Sequence, residues 1–83
     1  MQPLPKIDVH GLNSEQALNL VRYNLYDFYN RGYKEVYIIH GHGKGILKIK
    51  IRQMLKNFSF VKKLKKAPEN QGGDGVTIVE FVR

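Results

Sequence analysis

All three histidines of this 83-residue chain fall in two short stretches, Asp8-Val9-His10-Gly11 and His40-Gly41-His42-Gly43-Lys44-Gly45. An acid and an imidazole two residues apart on an extended segment share one side of it, because strand side chains alternate with a period of two. Such a pair, joined by a second imidazole at His40, can move a proton on or off an oxygen near neutral pH. The second stretch adds a place for an anion. Gly41, Gly43 and Gly45 lack Cβ, so their backbone N–H groups can approach a phosphate closely. A helix starting there adds its unpaired N–H groups and positive dipole end, and Lys44 and Lys48 add full charges. The chemistry indicated is transfer at a phosphate. In this scheme His40 and Asp8 handle the proton on the attacking oxygen. His10 orients the pair or protonates the leaving oxygen, and loop N–H groups with Lys44 stabilise charge on the phosphate. Asp8, His10 and His40 are thus the catalytic candidates, with acid and base left unassigned among them.

Familiar phosphate patterns do not fit. A nucleoside-triphosphate loop needs Gly five positions before Gly-Lys and Ser or Thr after it, but Ile38 and Gly45 stand there. The dinucleotide fingerprint needs an acid about 20 residues further on, and Phe60 to Lys66 is basic instead. Asp8, His10, His40 and His42 are metal-ligand types, yet only one is a carboxylate, so no tightly bound structural metal is expected. A loosely bound Mg²⁺ bridging Asp8 and a substrate phosphate is compatible with the pattern.

The charge of the chain is local. Nine basic residues lie between Lys44 and Lys66 with no Asp or Glu among them, while the remaining five basic and seven acidic residues nearly cancel. The whole excess of +7 therefore sits in one stretch, the footprint of a polyanion-binding surface. Gly41, His42, Gly43, Lys44, Gly45, Lys48 and Arg52 are the candidate nucleic-acid contacts. Nothing in the sequence selects DNA over RNA. The tyrosines Tyr23, Tyr26, Tyr29 and Tyr33 read as packing residues rather than a base-stacking ladder.

The elements that must carry these residues follow from periodicity. Lys6 to Val9 reads as a strand. Asn13 caps a helix whose apolar stripe is Ala17, Val21, Leu25 and Phe28, ending at Gly32. Glu35 to Ile39 is apolar on both faces and reads as a central strand. Leu47, Ile51, Met54, Leu55 and Phe58 mark a second helix, Phe58 to Leu64 a third strand ending in Lys65-Lys66, Ala67 to Gly75 a loop, and Val76 to Val82 a fourth strand. The order is β-α-β-α-β-β, an α/β, two-layer arrangement. Its first two strands run parallel through a right-handed crossover, in a four-stranded mixed sheet with two helices on one face and the other face open. If the first two strands are neighbours, Asp8, His10 and His40 come within reach at their carboxyl ends, where ligands of such sheets sit. The apolar second and fourth strands and the open face offer a further possibility, docking of a partner domain or pairing of two copies.

The chain reads as one domain, residues 1–83. Its apolar content of 42% fits a folded chain, and the absence of cysteine rules out disulfides and thiolate metal sites. No apolar run approaches the roughly 20 residues of a membrane span, and the start, Met1-Gln2-Pro3-Leu4-Pro5, has no signal-peptide core. A cytoplasmic protein without a membrane partner is expected.

Three segments resemble the Smr (small MutS-related) domain. Ile7-Asp8-Val9-His10-Gly11 is similar to its Leu-Asp-Leu-His-Gly. His40-Gly41-His42-Gly43-Lys44-Gly45-Ile46-Leu47-Lys48 is similar to its His-Gly-x-Gly-x-Gly-x-Leu-Arg/Lys. Ala67-Pro68 through Gly72-Gly73-Asp74-Gly75-Val76-Thr77-Ile78-Val79-Glu80-Phe81 is similar to its closing Pro, Gly-Gly-x-Gly, Thr-x-Val-x-Leu pattern. Val9 and Phe81 depart from the commoner Leu. The resemblance implies a β-α-β-α-β-β two-layer fold and endonuclease activity on DNA (nicking or branched structures) or RNA. It further implies a link to recombination or to ribosome quality control, a variable metal requirement, and members that only bind nucleic acid or the ribosome. It also implies that the chain can be the C-terminal piece of a longer protein with a MutS-like ATPase.

Overall fold

The computed structural model describes residues 5–83; the expectation drawn from Met1 to Leu4 lies outside them. Strand β1 (Lys6–Asp8) leads through Gly11 into helix α1 (Ser14–Asn30), strand β2 (Glu35–Ile39) and helix α2 (Ile46–Leu55). Strand β3 (Val61–Lys66), two 3₁₀ turns (Glu69–Gln71 and Gly73–Gly75) and strand β4 (Val76–Phe81) complete the order. The sheet order is β1-β2-β4-β3. β1 runs parallel to β2, while β4 is antiparallel to both β2 and β3. The sheet is therefore mixed, and β2 lies inside it as its two apolar faces require.

Helix α1 begins where Asn13 Oδ1 accepts the Gln16 N–H at 2.8 Å, removing one of the unpaired donors of a helix start. It ends in a Schellman turn. Gly32, at φ +89°, donates its N–H to the Tyr29 carbonyl, and the Tyr33 N–H reaches the Phe28 carbonyl. The apolar contact that accompanies this turn is made by the Phe28 and Tyr33 rings, 5.2 Å apart edge to face. Helix α2 has the opposite character at its start, since Gly45 at φ +78° provides no side-chain cap.

The main core lies between the helices and one sheet face. Ala17, Val21 and Leu25 of α1 and Ile51 and Leu55 of α2 pack on Ile7, Val9, Val36, Ile38, Val79 and Phe81. The opposite face is less open than the helix count suggests. Tyr37, Val76 and Ile78 form a second buried cluster with Ala67. The segment after Ala67 curls back over it, and Tyr37 Oη lies 3.4 Å from Gln71 Oε1. The expected bare face for a partner or a second copy is thus partly covered by the chain's own loop. The third strand ends at Lys66, as expected, but starts later than the expected Phe58. Phe58 and Phe60 lie in the turn before it and join Tyr26, Tyr29 and Phe81 in an aromatic cluster with centroids 4.5–5.8 Å apart, while the Phe60 carbonyl still accepts the Val82 N–H at 2.8 Å. Pairing begins at Val61 and runs to Lys66, with Lys65 and Lys66 opposite Ile78 and Thr77 on β4.

Candidate active site

The carboxyl ends of β1 and β2 lie side by side, with Asp8 opposite Ile39. Asp8 and His10 share the solvent side of that edge. His10 Nδ1–H donates to Asp8 Oδ1 at 2.5 Å, and the His10 backbone N–H donates to the same oxygen at 3.2 Å. These contacts hold the Asp8 carboxyl below the usual carboxylate range, the imidazole bond contributing most, with burial opposing and the backbone bond adding to the lowering. Both side chains remain open to solvent, 50% exposed for Asp8 and 68% for His10. With Nδ1 committed to Asp8, the free ring nitrogen of His10 is Nε2.

His40 does not join them. It follows Ile39, so the alternation turns its side chain to the helix-covered face, where it is only 6% exposed. Its Nε2 is 2.9 Å from Thr77 Oγ1 and its Nδ1 3.1 Å from the Gly41 carbonyl. Both ring nitrogens are therefore engaged, and the expected three-residue convergence reduces to a pair. Burial pushes the His40 imidazole below its ordinary value of 6.5, with the Arg52 and Lys48 charges acting in the same sense and the Gly41 bond opposing. His40 is thus neutral in the fold.

This has a consequence for stability. As pH falls below 6.5 the unfolded chain gains a proton at His40 that the folded chain does not, so stability declines until the lowered folded value is reached. Unfolding free energies from urea titrations between about pH 7.5 and 5.5 should fall, by at most about 1.4 kcal/mol per pH unit from this group. His40→Gln should flatten that dependence, and an unchanged slope would contradict a neutral His40.

The glycine loop and the start of α2 form one cleft of about 270 Å³, lined by His40 through Lys48. Gly41 sits at its root. The N–H groups of His40 and Gly41 both donate to the Gly75 carbonyl at 3.0 Å, which ties the loop to the Gly73–Gly75 turn. A Cβ on Gly41 would lie 3.5 Å from His10 Cβ, so His10 stands directly against the loop. His42 lies over Gly75, within 2.9 Å of where a Cβ there would be. Lys48 Nζ reaches Asp74 Oδ1 at 3.4 Å, and that contact holds the Asp74 carboxyl low. Lys44 is exposed at the mouth of the cleft. Arg52, expected to touch nucleic acid, uses its Nε–H on Thr77 Oγ1 at 3.1 Å.

The expected site residues thus form three groups: Asp8 with His10, the cleft from Gly41 to Lys48, and His40 with Arg52 behind it. Among the described residues no three His, Asp or Glu side chains gather closely enough to hold a metal ion. A resident metal caged by protein donors therefore has no ligand set here. Thr77, Asp74 and Gly75 escaped the residue-by-residue reading of the sequence. The available signal was a lone hydroxyl in the apolar run Val76-Thr77-Ile78-Val79, fully buried in the structure. No helix among the described residues is long and apolar enough to cross a membrane.

The Smr domain family model matches residues 7–82. Endonuclease MutS2 of Caldanaerobacter subterraneus subsp. tengcongensis is 42% identical over 77 residues, 93% of this chain and 10% of that protein. Endonuclease MutS2 of Clostridium kluyveri is 46% identical over 75 residues, again covering only 10% of its length. The chain thus spans about a tenth of the length of these curated relatives. Among solved structures, the Smr domain of Thermus thermophilus MutS2 superposes with a TM-score of 0.92 at 31% identity, covering 96% of this chain and all of that one. YdaL, a stand-alone small MutS-related protein from Escherichia coli, shares the fold at 21% identity, with a TM-score of 0.90 over 94% of this chain and 64% of its own. The segments around Asp8, His40 and Gly72–Phe81 lie within the matched span, and the chain belongs to the Smr domain family.

Proposed function

We propose that this domain binds nucleic acid and cleaves its phosphodiester backbone with little sequence preference. The observation that carries the reading is the solvent-open Asp8–His10 pair standing against a glycine loop with Lys44 at its mouth. Asp8 orients His10 through Nδ1–H, so a neutral His10 presents the lone pair of Nε2. Nε2 takes the proton from the attacking oxygen, which is water or, on RNA, a neighbouring 2′-hydroxyl. That oxygen bonds to phosphorus, the old P–O bond breaks, and the leaving oxygen takes up a proton from His10 or solvent. The Gly41 N–H is held by the Gly75 carbonyl, so N–H groups of the loop beyond it, with Lys44, stabilise charge on the phosphate oxygens. His40 and Arg52 act from behind the loop.

The test is cleavage of labelled linear duplex, branched DNA and structured RNA, with and without Mg²⁺, by the parent and by Asp8→Ala. The parent should cut at least one substrate, and Asp8→Ala should be at least about tenfold slower with binding retained. Equal rates for parent and variant would defeat the assignment.

One observation favours a binding module without cleavage: His40, one of three expected catalytic groups, is locked into the fold. That reading predicts no cleavage of any substrate, and binding that weakens steeply with salt and on Lys48 substitution. The greater length of the MutS2 relatives supports a setting in which the domain is tethered to a MutS-like ATPase. Structured RNA in the panel bears on a ribosomal target.

A further inference from the structure

A chain of hydrogen bonds runs behind the glycine loop and ends beneath His10. It begins on α2, where Arg52 Nε–H donates to Thr77 Oγ1, and continues to His40 Nε2 and from His40 Nδ1 to the Gly41 carbonyl. Its direction is fixed at the far end. A carbonyl only accepts, so His40 Nδ1 carries the hydrogen. In the neutral ring Nε2 is then a bare lone pair, and the Thr77 hydroxyl must donate to it while accepting from Arg52. Each partner can be satisfied in only one way, and among the described residues no buried side-chain nitrogen or oxygen lacks a partner.

Gly41 is where this chain meets the reactive edge. Its carbonyl is held by His40, its N–H by the Gly75 carbonyl, and its α-carbon faces His10 Cβ. We propose that Thr77 and Arg52 are positioning residues that lock His40 in its Nδ1–H tautomer, and that His40 thereby clamps Gly41 and sets the backbone against which His10 stands. The catalytic consequence rests on the cleavage reading above; the structural claim does not. The Thr77 hydroxyl bonds Arg52 and His40, and it reaches the loop through His40. Removing it leaves Nε2 without a donor and frees the ring to exchange tautomers. The Nδ1–H that holds the Gly41 carbonyl is then present only part of the time.

The test compares Thr77→Val, Thr77→Ser and the parent, with isotope-labelled histidine followed by NMR alongside cleavage kinetics. The parent should show His40 protonated at Nδ1 and bare at Nε2. Thr77→Val, close in shape but without the hydroxyl, should lose that single signature and shift the Gly41 and His10 resonances. Its kcat should fall about tenfold while KM changes by less than about twofold, and Thr77→Ser should restore both readouts. A Thr77→Val protein that keeps the parental tautomer and kcat overturns the proposal. So does a folded Thr77→Ser that behaves like Thr77→Val, since packing would then be the role. If the parent cuts no substrate, the enzyme reading alone fails. The positioning claim is then decided by the spectra, and unchanged His40, Gly41 and His10 signals in Thr77→Val overturn it.

Discussion

His10→Gln is expected to slow phosphodiester cleavage by about 100-fold or more while nucleic-acid affinity stays within about twofold of the parent. Glutamine keeps much of the size and a donor but cannot take up a proton. The affinity should survive because it comes mainly from cations meeting phosphates, and the exposed lysines of α2 and β3 are untouched. Asp8→Asn should cost less than His10→Gln, since an amide still occupies the position but no longer favours the Nδ1–H tautomer. Because the two residues act as a unit, the double variant should be no slower than His10→Gln alone. Single-turnover rates with saturating protein separate these outcomes from weakened binding. Multiplying effects in the double variant would show that Asp8 and His10 act independently, and a fully active His10→Gln would remove the imidazole from the chemistry.

The difference between His10 and His40 shows what a sequence can carry. Asp8 and His10 are two apart on a strand, so their shared side follows from local geometry, and a direct bond between them requires no distant partner. His40 continues the alternation of β2 one residue past its end, so its inward side follows from the same local rule. What no local pattern encodes is that Thr77 on β4 and Arg52 on α2 wait there to engage the ring, which takes it out of the solvent-facing pair. The same division runs through the fold. The caps of α1 and the central place of β2 are legible because capping residues and two-faced apolarity act within a few residues. The start of β3 is not, because Phe58 and Phe60 are held in the preceding turn by aromatic partners on α1 and β4. The basic stretch was legible as charge but not as availability. Lys48, Lys65 and Lys66 contact Asp74, Glu80 and Glu69, so part of the apparent polyanion surface is already partnered within the chain.

Gly72→Ala should be the most damaging single-methyl change in this domain, destabilising it by about 3 kcal/mol. Gly72 has φ +109° and ψ −10°, a conformation that L side chains rarely adopt. A Cβ there would also stand 2.4 Å from Val76 Cγ2. Val76 cannot easily yield, because it is 6% exposed and packed with Tyr37, Ala67 and Ile78 under the same loop. Either the loop lifts and uncovers this cluster, or β4 shifts at its first residue. The Gly75 N–H is bonded to the Gly72 carbonyl, and the Gly75 carbonyl in turn accepts from His40 and Gly41. Lifting the loop therefore also loosens the root of the cleft. Gly43→Ala is the control: its φ is +23° and a Cβ would meet nothing within 4 Å, so it should cost only about 1 kcal/mol of backbone strain. Urea midpoints should fall by roughly 3 M for Gly72→Ala, taking a slope near 1 kcal/mol/M for so small a domain. Amide exchange at His40 and Gly41 should quicken in Gly72→Ala and not in Gly43→Ala. Equal costs for the two variants would mean that dihedral strain alone is being measured, and that the contact between the loop and Val76 does not hold the second cluster closed.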